Sequence, residues 1–412
     1  MKKILILLTS SYPYGEGETF LANEIRYLVS AFDEIVILSN DTESESVRPL
    51  PPSVTSLRQS YELSRLETLL SVFGMLRRAV WRELSFVRRR YHIPLTRKVL
   101  STILVSCYRA GKFSRTIRRL ARRHPGAEVH AYAYWASDVA IAAALARRRG
   151  WVDHAFCRAH GWDVYFDRAE AGFLPFRHFL ATHLDHYLFV SEHGRAYFEA
   201  QMGRRSYPSV GVSRLGTPPV TPVPLARLRP FTLVSCSSMI PVKRVELIAK
   251  ALEHTASNVR WIHIGEGPTR ASVEAIRERL PPTVEVQLEG HLPNPAVLAL
   301  YATVRPSLFV NVSRSEGLPV SMMEAMSVGI PVLGTDVGGV GEIVSNGKNG
   351  MLVASDPTPE EVAAAIDAFS ALDEREYRTY AERAWATWHE KFNAETNYEA
   401  FVDTILDRMR LS

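Results

Sequence analysis

Short apolar runs alternate along the chain with longer stretches in which apolar positions recur at helical spacing. The runs at 1–8, 34–39, 128–134, 155–159 and 186–190 read as buried strands. Between them, 19–31 and 137–148 read as helices, 41–53 as a polar, proline-bearing loop, and 62–123 as a long, basic helical stretch. At 217–230 the pattern stops, because Thr217-Pro-Pro-Val-Thr-Pro-Val-Pro-Leu-Ala-Arg-Leu-Arg-Pro230 holds too much proline for a helix or a central strand. It reads as a linker. The pattern then restarts, with strands at 231–236, 259–264, 284–287, 306–312 and 331–334. Helices are expected at 245–256, 269–280, 358–370, 374–391 and 395–410. Strand and helix in alternation predict an α/β protein with parallel sheets. The expected division is a first domain over 1–217, a linker over 218–230, a second domain over 231–392 and a final helix over 393–412.

Length agrees, since 412 residues exceed one typical core. Cys107, Cys157 and Cys236 are scattered, with neither zinc spacing nor a disulfide framework, so a reducing cytosol is expected. Residues 1–8 lack the long apolar run and cleavage site of a signal peptide. No stretch reaches the roughly 20 apolar residues of a membrane span. Net charge is only +5, yet between Arg77 and Arg123 basic residues dominate and Glu83 is the sole acid. Large apolar residues such as Leu76, Val80, Trp81, Leu84, Phe86, Val87 and Tyr91 are interleaved with them. Such a mixture suits a helix lying on an anionic membrane surface. It equally suits a solvated helix face whose apolar side joins the core. No nucleic-acid motif accompanies the charge, and nucleic acid is not expected as a partner.

The most informative segment is Glu316-Gly-Leu-Pro-Val-Ser-Met-Met-Glu324, two carboxylates around a loop that turns into a helix after a strand. Gly317 permits close backbone approach, and Pro319 suits a first helical turn. Gly329 and Pro331 stop the helix. Its N-terminus suits a phosphate, and carboxylates bind sugar hydroxyls strongly. A diphosphate between two sugars fits, as does an ordinary exposed helix with glutamates on its solvent face. Lys243, in Ser235-Cys-Ser-Ser-Met-Ile-Pro-Val-Lys-Arg244, sits near a helix start, where a cation is poorly placed unless an anion is near. Gly265-Glu-Gly-Pro268, Glu289-Gly-His291 and Gly338-Gly-Val-Gly-Glu342 mark further strand exits. Arg158-Ala-His160-Gly-Trp-Asp163 offers a donor, a close approach and an acceptor at another. No Asp-x-Asp, HExxH or GxSxG occurs.

In this order and spacing, these motifs and Tyr12-Pro-Tyr-Gly-Glu-Gly-Glu-Thr-Phe20 resemble the family-4 glycosyltransferases, especially those of bacterial exopolysaccharide, capsule or O-antigen synthesis. The resemblance is strongest over 231–353 and weakest over 41–125. It implies a GT-B fold, two Rossmann-like domains with parallel sheets facing across a cleft. It also implies a retaining, metal-independent hexosyltransferase without a cofactor. The implied partners are a nucleotide-sugar donor and a lipid-linked or oligosaccharide acceptor at the cytoplasmic membrane face, reached through segment 77–123. Glu324 would hold the ribose, and Glu316 the transferred sugar. Gly317 and Leu318, beside Pro319, would hold the distal phosphate, and Lys243 would neutralise the departing diphosphate. His291 and Leu292 would read the base, Gly265 and Gly267 would line the donor site, and Gly15 and Gly17 would close on the phosphates. His160 would lie beside the sugar, with Tyr12, Glu18, Arg158 and Asp163 on the acceptor side. The last helix would cross back to the first domain. One departure is Ser238, where many members carry an arginine that pairs with the phosphates; Arg244, about 100° round a helix from Lys243, does not replace it. A nucleotide-sugar epimerase of the same fold, or a binding protein with weak turnover, is the alternative.

Overall fold

The first strand, β1 (Lys3–Thr9), is apolar from Ile4 to Leu8 because both faces of its sheet are covered. Ile4, Ile6 and Leu8 enter one core, and Leu5 and Leu7 enter another on the opposite face. The structure is a computed structural model that describes residues 1–15, 17–41, 43–76, 78–203, 206–220 and 230–410, with the backbone alone at 74, 76 and 407–410. Glu16 of the first loop, Arg77 of the basic run and 221–229 of the expected linker lie outside the described residues.

Two units form, Met1–Ser213 with the chain from Tyr398 onward, and Arg214–Asn397. After β1 the first unit continues with α1 (Leu21–Ala31), β2 (Glu34–Ser39), β3 (Val54–Arg58), α2 (Arg65–Ser71), α3 (Arg78–Arg90) and α4 (Arg97–Ala121). There follow β4 (Glu128–Ala133), α5 (Asp138–Arg148), β5 (His154–Ala159), α6 (Arg177–His183), β6 (His186–Phe189), α7 (Glu192–Met202) and β7 (Val210–Val212). Its sheet runs β3-β2-β1-β4-β5-β6-β7, parallel throughout.

The second unit contains β8 (Phe231–Cys236), α8 (Val245–Ala251), β9 (Val259–Ile264), α9 (Arg270–Arg277), β10 (Val284–Gly290), α10 (Asn294–Val304), β11 (Leu308–Asn311) and α11 (Val320–Ser327). It continues with β12 (Val332–Thr335), α12 (Val340–Ile343), β13 (Gly350–Val353), α13 (Pro359–Ala371) and α14 (Glu374–Lys391). A final helix, α15 (Ala394–Arg410), passes to the first unit at Tyr398, and its Phe401, Val402 and Ile405 pack on that unit's sheet. The second sheet, also parallel, runs β10-β9-β8-β11-β12-β13.

Every strand expected from an apolar run is present. The unexpected ones, β3, β7 and β13, lie at sheet edges. Most positions of these strands are only partly buried or exposed, so their sequences carry no apolar run. Among the described residues the basic stretch forms three α-helices, interrupted at 91–96, where Pro94 cannot sit within a helix. Its inner face settles part of the membrane question. Val80, Leu84 and Val87 of α3 are core residues, and only Trp81 of the large apolar residues described on that helix is largely exposed. Glu83 is also buried and accepts the N–H of Phe176 at 2.6 Å. Among the described residues, no helix is long and apolar enough to cross a membrane.

Candidate active site

In the second sheet the connections run to opposite sides of the pair β8 and β11, so these two strands flank the topological switch point, where open parallel sheets bind ligands. The loops leaving them meet there. Lys243, two residues before α8, places Nζ 2.6 Å from Glu316 Oε1. Asn311, at the end of β11, donates to the same oxygen at 3.2 Å. The Arg314 N–H donates to the Val242 carbonyl at 2.8 Å, tying the two loops together.

Neighbouring turns brace this contact. A Cβ at Gly338 would lie 1.9 Å from the Glu316 carbonyl oxygen, so only glycine fits. The Gly339 N–H donates to the Gly317 carbonyl at 2.9 Å. Likewise a Cβ at Gly265 would lie 1.9 Å from the Ser237 carbonyl oxygen. The Met239 N–H donates to the Glu266 carbonyl at 2.8 Å, and the Gly265 N–H to that of Gly290. Gly267 meets the same loop at Met239. The β8, β9 and β10 exits thus form one continuous rim.

Leu318 is buried and leads to Pro319, the residue that caps α11. Pro319 therefore stands just before the helix rather than in its first turn; its ψ of 109° is extended. The helix start has no side-chain cap, so its first N–H groups are not met by a side chain. One turn along, Glu324 is buried and accepts from Asn294 Nδ2 at 2.5 Å, which links α11 to α10. Burial, offset in part by that hydrogen bond, pushes the Glu324 carboxyl up to about 7. Burial and the nearby Glu324 charge push the Cys236 thiol up to about 12, so it stays protonated. Ser238 is exposed on the same rim, and His291, also exposed, and half-buried Leu292 follow β10.

Arg244 corrects an expectation. It lies before α8 in the left-handed region, with φ 51°, and is buried. Its guanidinium donates to the carbonyls of Val312, Ser313 and Ser355 and to Asp356. It is a strut, directed by this turn and not by helical rotation from Lys243. Asn294 and Asn311 escaped notice, although an asparagine closing an apolar strand is a signal that could have found Asn311.

In the first unit His160 follows β5, with Nδ1 3.9 Å from Asp163 and its ring against Tyr134 and Trp135. Its Nε2 is buried without a hydrogen-bond partner among the described residues. The residues expected on the acceptor side serve the scaffold instead. Arg158 is fully buried, paired with buried Glu24 at 2.7 Å and stacked on Phe401. Asp163 is fully buried and accepts the N–H groups of His160, Gly161 and Ala136. Burial opposes its charge, but His160 and these N–H groups hold its carboxyl below the usual range. Glu18 gathers the N–H groups of Ser10, Ser11 and Tyr12 and the Trp135 indole. Tyr12 is a core residue. Arg48 holds the carbonyls of Gly15 and Gly17. What opens beside these residues is a cavity of about 290 Å³ at the strand ends, with Ser10, Tyr61, Arg109, Asp138 and Trp162 in its wall. Arg109 lies 3.6 Å from Asp138 and over the Tyr61 ring. Tyr61 and Arg109 come from the stretch least like any family pattern, and nothing in the sequence marks them.

Two Rossmann-like units with parallel sheets, and a strand-exit site holding a lysine–glutamate pair, define the GT-B class of fold. The chain resembles a lipopolysaccharide outer core galactosyltransferase, WaaB, with a TM-score of 0.67 at 15% identity over 98% of this chain and 99% of that one. It also resembles Anabaena Alr3699/HepE in complex with UDP and glucose, with a TM-score of 0.64 at 17% identity over 99% and 100%. Residues 222–385 match the family described as "Glycosyl transferases group 1", and the second unit carries a domain of that family. In sequence, 196 residues are 29% identical to the "Putative colanic acid biosynthesis glycosyltransferase WcaL" of Escherichia coli strain K12, covering 45% of this chain and 48% of that one. The chain spans about half or less of the length of the curated relatives it matches.

Proposed function

We propose that the protein is a retaining glycosyltransferase of bacterial cell-surface polysaccharide synthesis. It takes a sugar from a nucleotide diphosphate donor and passes it to a lipid-linked or oligosaccharide acceptor. The observation that carries this reading is the Lys243–Glu316 pair at the switch point, beside the uncapped start of α11. The α11 N-terminus receives the distal phosphate, and Lys243 answers the charge that grows on the leaving diphosphate. Glu324 accepts the ribose hydroxyls, and Glu316 contacts the sugar. The rim from Ser238 through Gly265 and Gly267 to His291 and Leu292 lines the nucleotide, with no resident cofactor or metal assigned. In the first unit, His160 serves the sugar and the Arg109 cavity presents the acceptor. The relatives' names support the polysaccharide setting, and the UDP complex of a structural neighbour supports a nucleotide donor.

A thermal-shift panel of UDP-, GDP- and ADP-sugars tests the reading. One of them at 100 times its dissociation constant stabilises the protein by about 2.7 kcal/mol, and that donor then labels a lipid-linked acceptor extract. No shift with any sugar nucleotide would overturn it.

The membrane partner belongs to the same proposal, with its surface moved. Among the described residues, seven of the eleven large apolar side chains that stand exposed fall between Leu66 and Leu95. Leu66, Leu69, Leu70 and Phe73 recur at helical spacing on α2 and the turn after it, facing solvent. Arg78, Arg82, Arg88 and Arg89 follow on α3, all exposed. This apolar face beside a cationic one suits insertion into an anionic leaflet. Vesicles containing phosphatidylglycerol are expected to carry the protein upward in flotation. Replacing Arg78 and Arg82 with alanine weakens binding about 30-fold, at roughly 1 kcal/mol per cation, and Phe73→Glu abolishes it. Equal recovery with neutral and anionic vesicles would remove this partner.

A further inference from the structure

The candidate sites lie at the carboxyl ends of the strands, and a different cluster occupies the opposite end of the first sheet. Glu128 and His130 are two residues apart on β4 and so share a face. His154, which begins β5, pairs in register with His130. Glu128 Oε1 stands 3.5 Å from Nε2 of His130 and 3.5 Å from Nε2 of His154. The two rings stack at an angle of 7°. The three ligand atoms all lie within 4.8 Å of one another.

Both histidines are buried, and His130 is fully enclosed. Among the described residues neither His130 ring nitrogen has a hydrogen-bond partner, which buried imidazoles ordinarily find. His154 turns Nδ1 toward Asp185, 3.9 Å away. Asp185 is itself fixed by Arg147 and the Ala155 N–H. A metal-bound histidine is commonly oriented by such an outer carboxylate.

We propose that Glu128, His130 and His154 bind one divalent transition-metal ion of the zinc type, which clamps β4 to β5. Two imidazoles and one carboxylate suit zinc, cobalt or nickel, whereas calcium and magnesium require oxygen ligands. Lys3 pairs in register with Glu128 on the neighbouring strand, so its charge opposes a cation there, and the Glu128 and Asp185 carboxylates counter it.

Tag-free protein, stripped with a chelator, is titrated with Co²⁺ and followed by visible absorption, then competed with Zn²⁺. The expected result is saturation at one equivalent, a spectrum without a thiolate band, and a melting temperature raised by Zn²⁺ and lowered again by chelator. Glu128→Gln and His154→Gln bind at least about 100-fold more weakly while keeping the far-ultraviolet circular dichroism of the parent. Should a variant unfold, the parent's stoichiometry and spectrum decide alone. Absence of saturable binding, a thiolate band from the cysteines, or variants that bind like the parent would each overturn the site.

Discussion

Glu324→Gln is expected to abolish donor binding and, without ligand, to make the protein more stable above pH 7. Both effects come from one buried carboxyl. In the unfolded chain it titrates near 4.5, and in the folded protein burial raises this to about 7. Between those values the folded state keeps a proton that the unfolded state has lost, so stability falls as pH rises through that window. Above it the cost is complete, at about 3 kcal/mol. Glutamine has no charge to desolvate and keeps an oxygen for Asn294. The variant should melt higher than its parent at pH 8 and together with it at about pH 4, below both values. Ligand binding reverses the advantage. An ionised carboxylate accepting two ribose hydroxyls contributes about 1.5–3 kcal/mol for each bond, and an amide cannot replace both. Calorimetry with the donor found by the panel should show affinity rising with pH through about 7 for the parent and no measurable binding for the variant. Unchanged binding by the variant would take Glu324 out of the site.

The fold was legible because each sheet is parallel and covered on both faces. Such strands are apolar at nearly every position, and β1, β2, β8 and β9 can be seen without any structure. The edge strands β3 and β7 are not, since most of their positions are only partly buried or exposed and so carry no apolar run. The same physics limited the basic stretch. Spacing marks which residues of α3 share a face, and Val80, Leu84 and Val87 do. It does not say whether that face meets a core or a bilayer, and here it meets the core. The exposed apolar face lies earlier, on Leu66 to Phe73, where there are too few cations to draw attention.

The candidate site was legible where chemistry and backbone geometry coincide. Glycines at 265, 267 and 338 stand where the exit loops pack too closely for a side chain, so their pattern carries the loop architecture directly. Charged residues gave no such signal. Arg158, Asp163 and Glu18 share their types with ligand-binding residues, but each is consumed by a buried partner or by backbone N–H groups. Nor did adjacency separate Lys243 from Arg244. One turn in the left-handed conformation sends the guanidinium inward to the end of β11 and leaves the ammonium on Glu316.

That division of labour makes Lys243→Met the sharpest test of mechanism. Lys243 is part-exposed but Glu316 is buried, so removing the ammonium leaves a buried carboxylate without its cation and costs some stability. Glu316 also keeps Asn311 when the lysine is gone. The fold should persist, with a lowered melting temperature. Turnover should not. In the bound donor the diphosphate charge is already partly met by the α11 N–H groups, and further negative charge gathers on it only as the bond to the sugar breaks. A cation held at that position acts mainly in the transition state. Removing such a donor costs about 10²–10³ in kcat, whereas donor affinity should change by about tenfold or less. Lys243→Arg keeps the charge in a wider, planar group and should recover part of the rate. The opposite split, a raised KM with kcat intact, would make Lys243 a ground-state phosphate contact. The stabilisation of the leaving group would then fall to the α11 N-terminus alone.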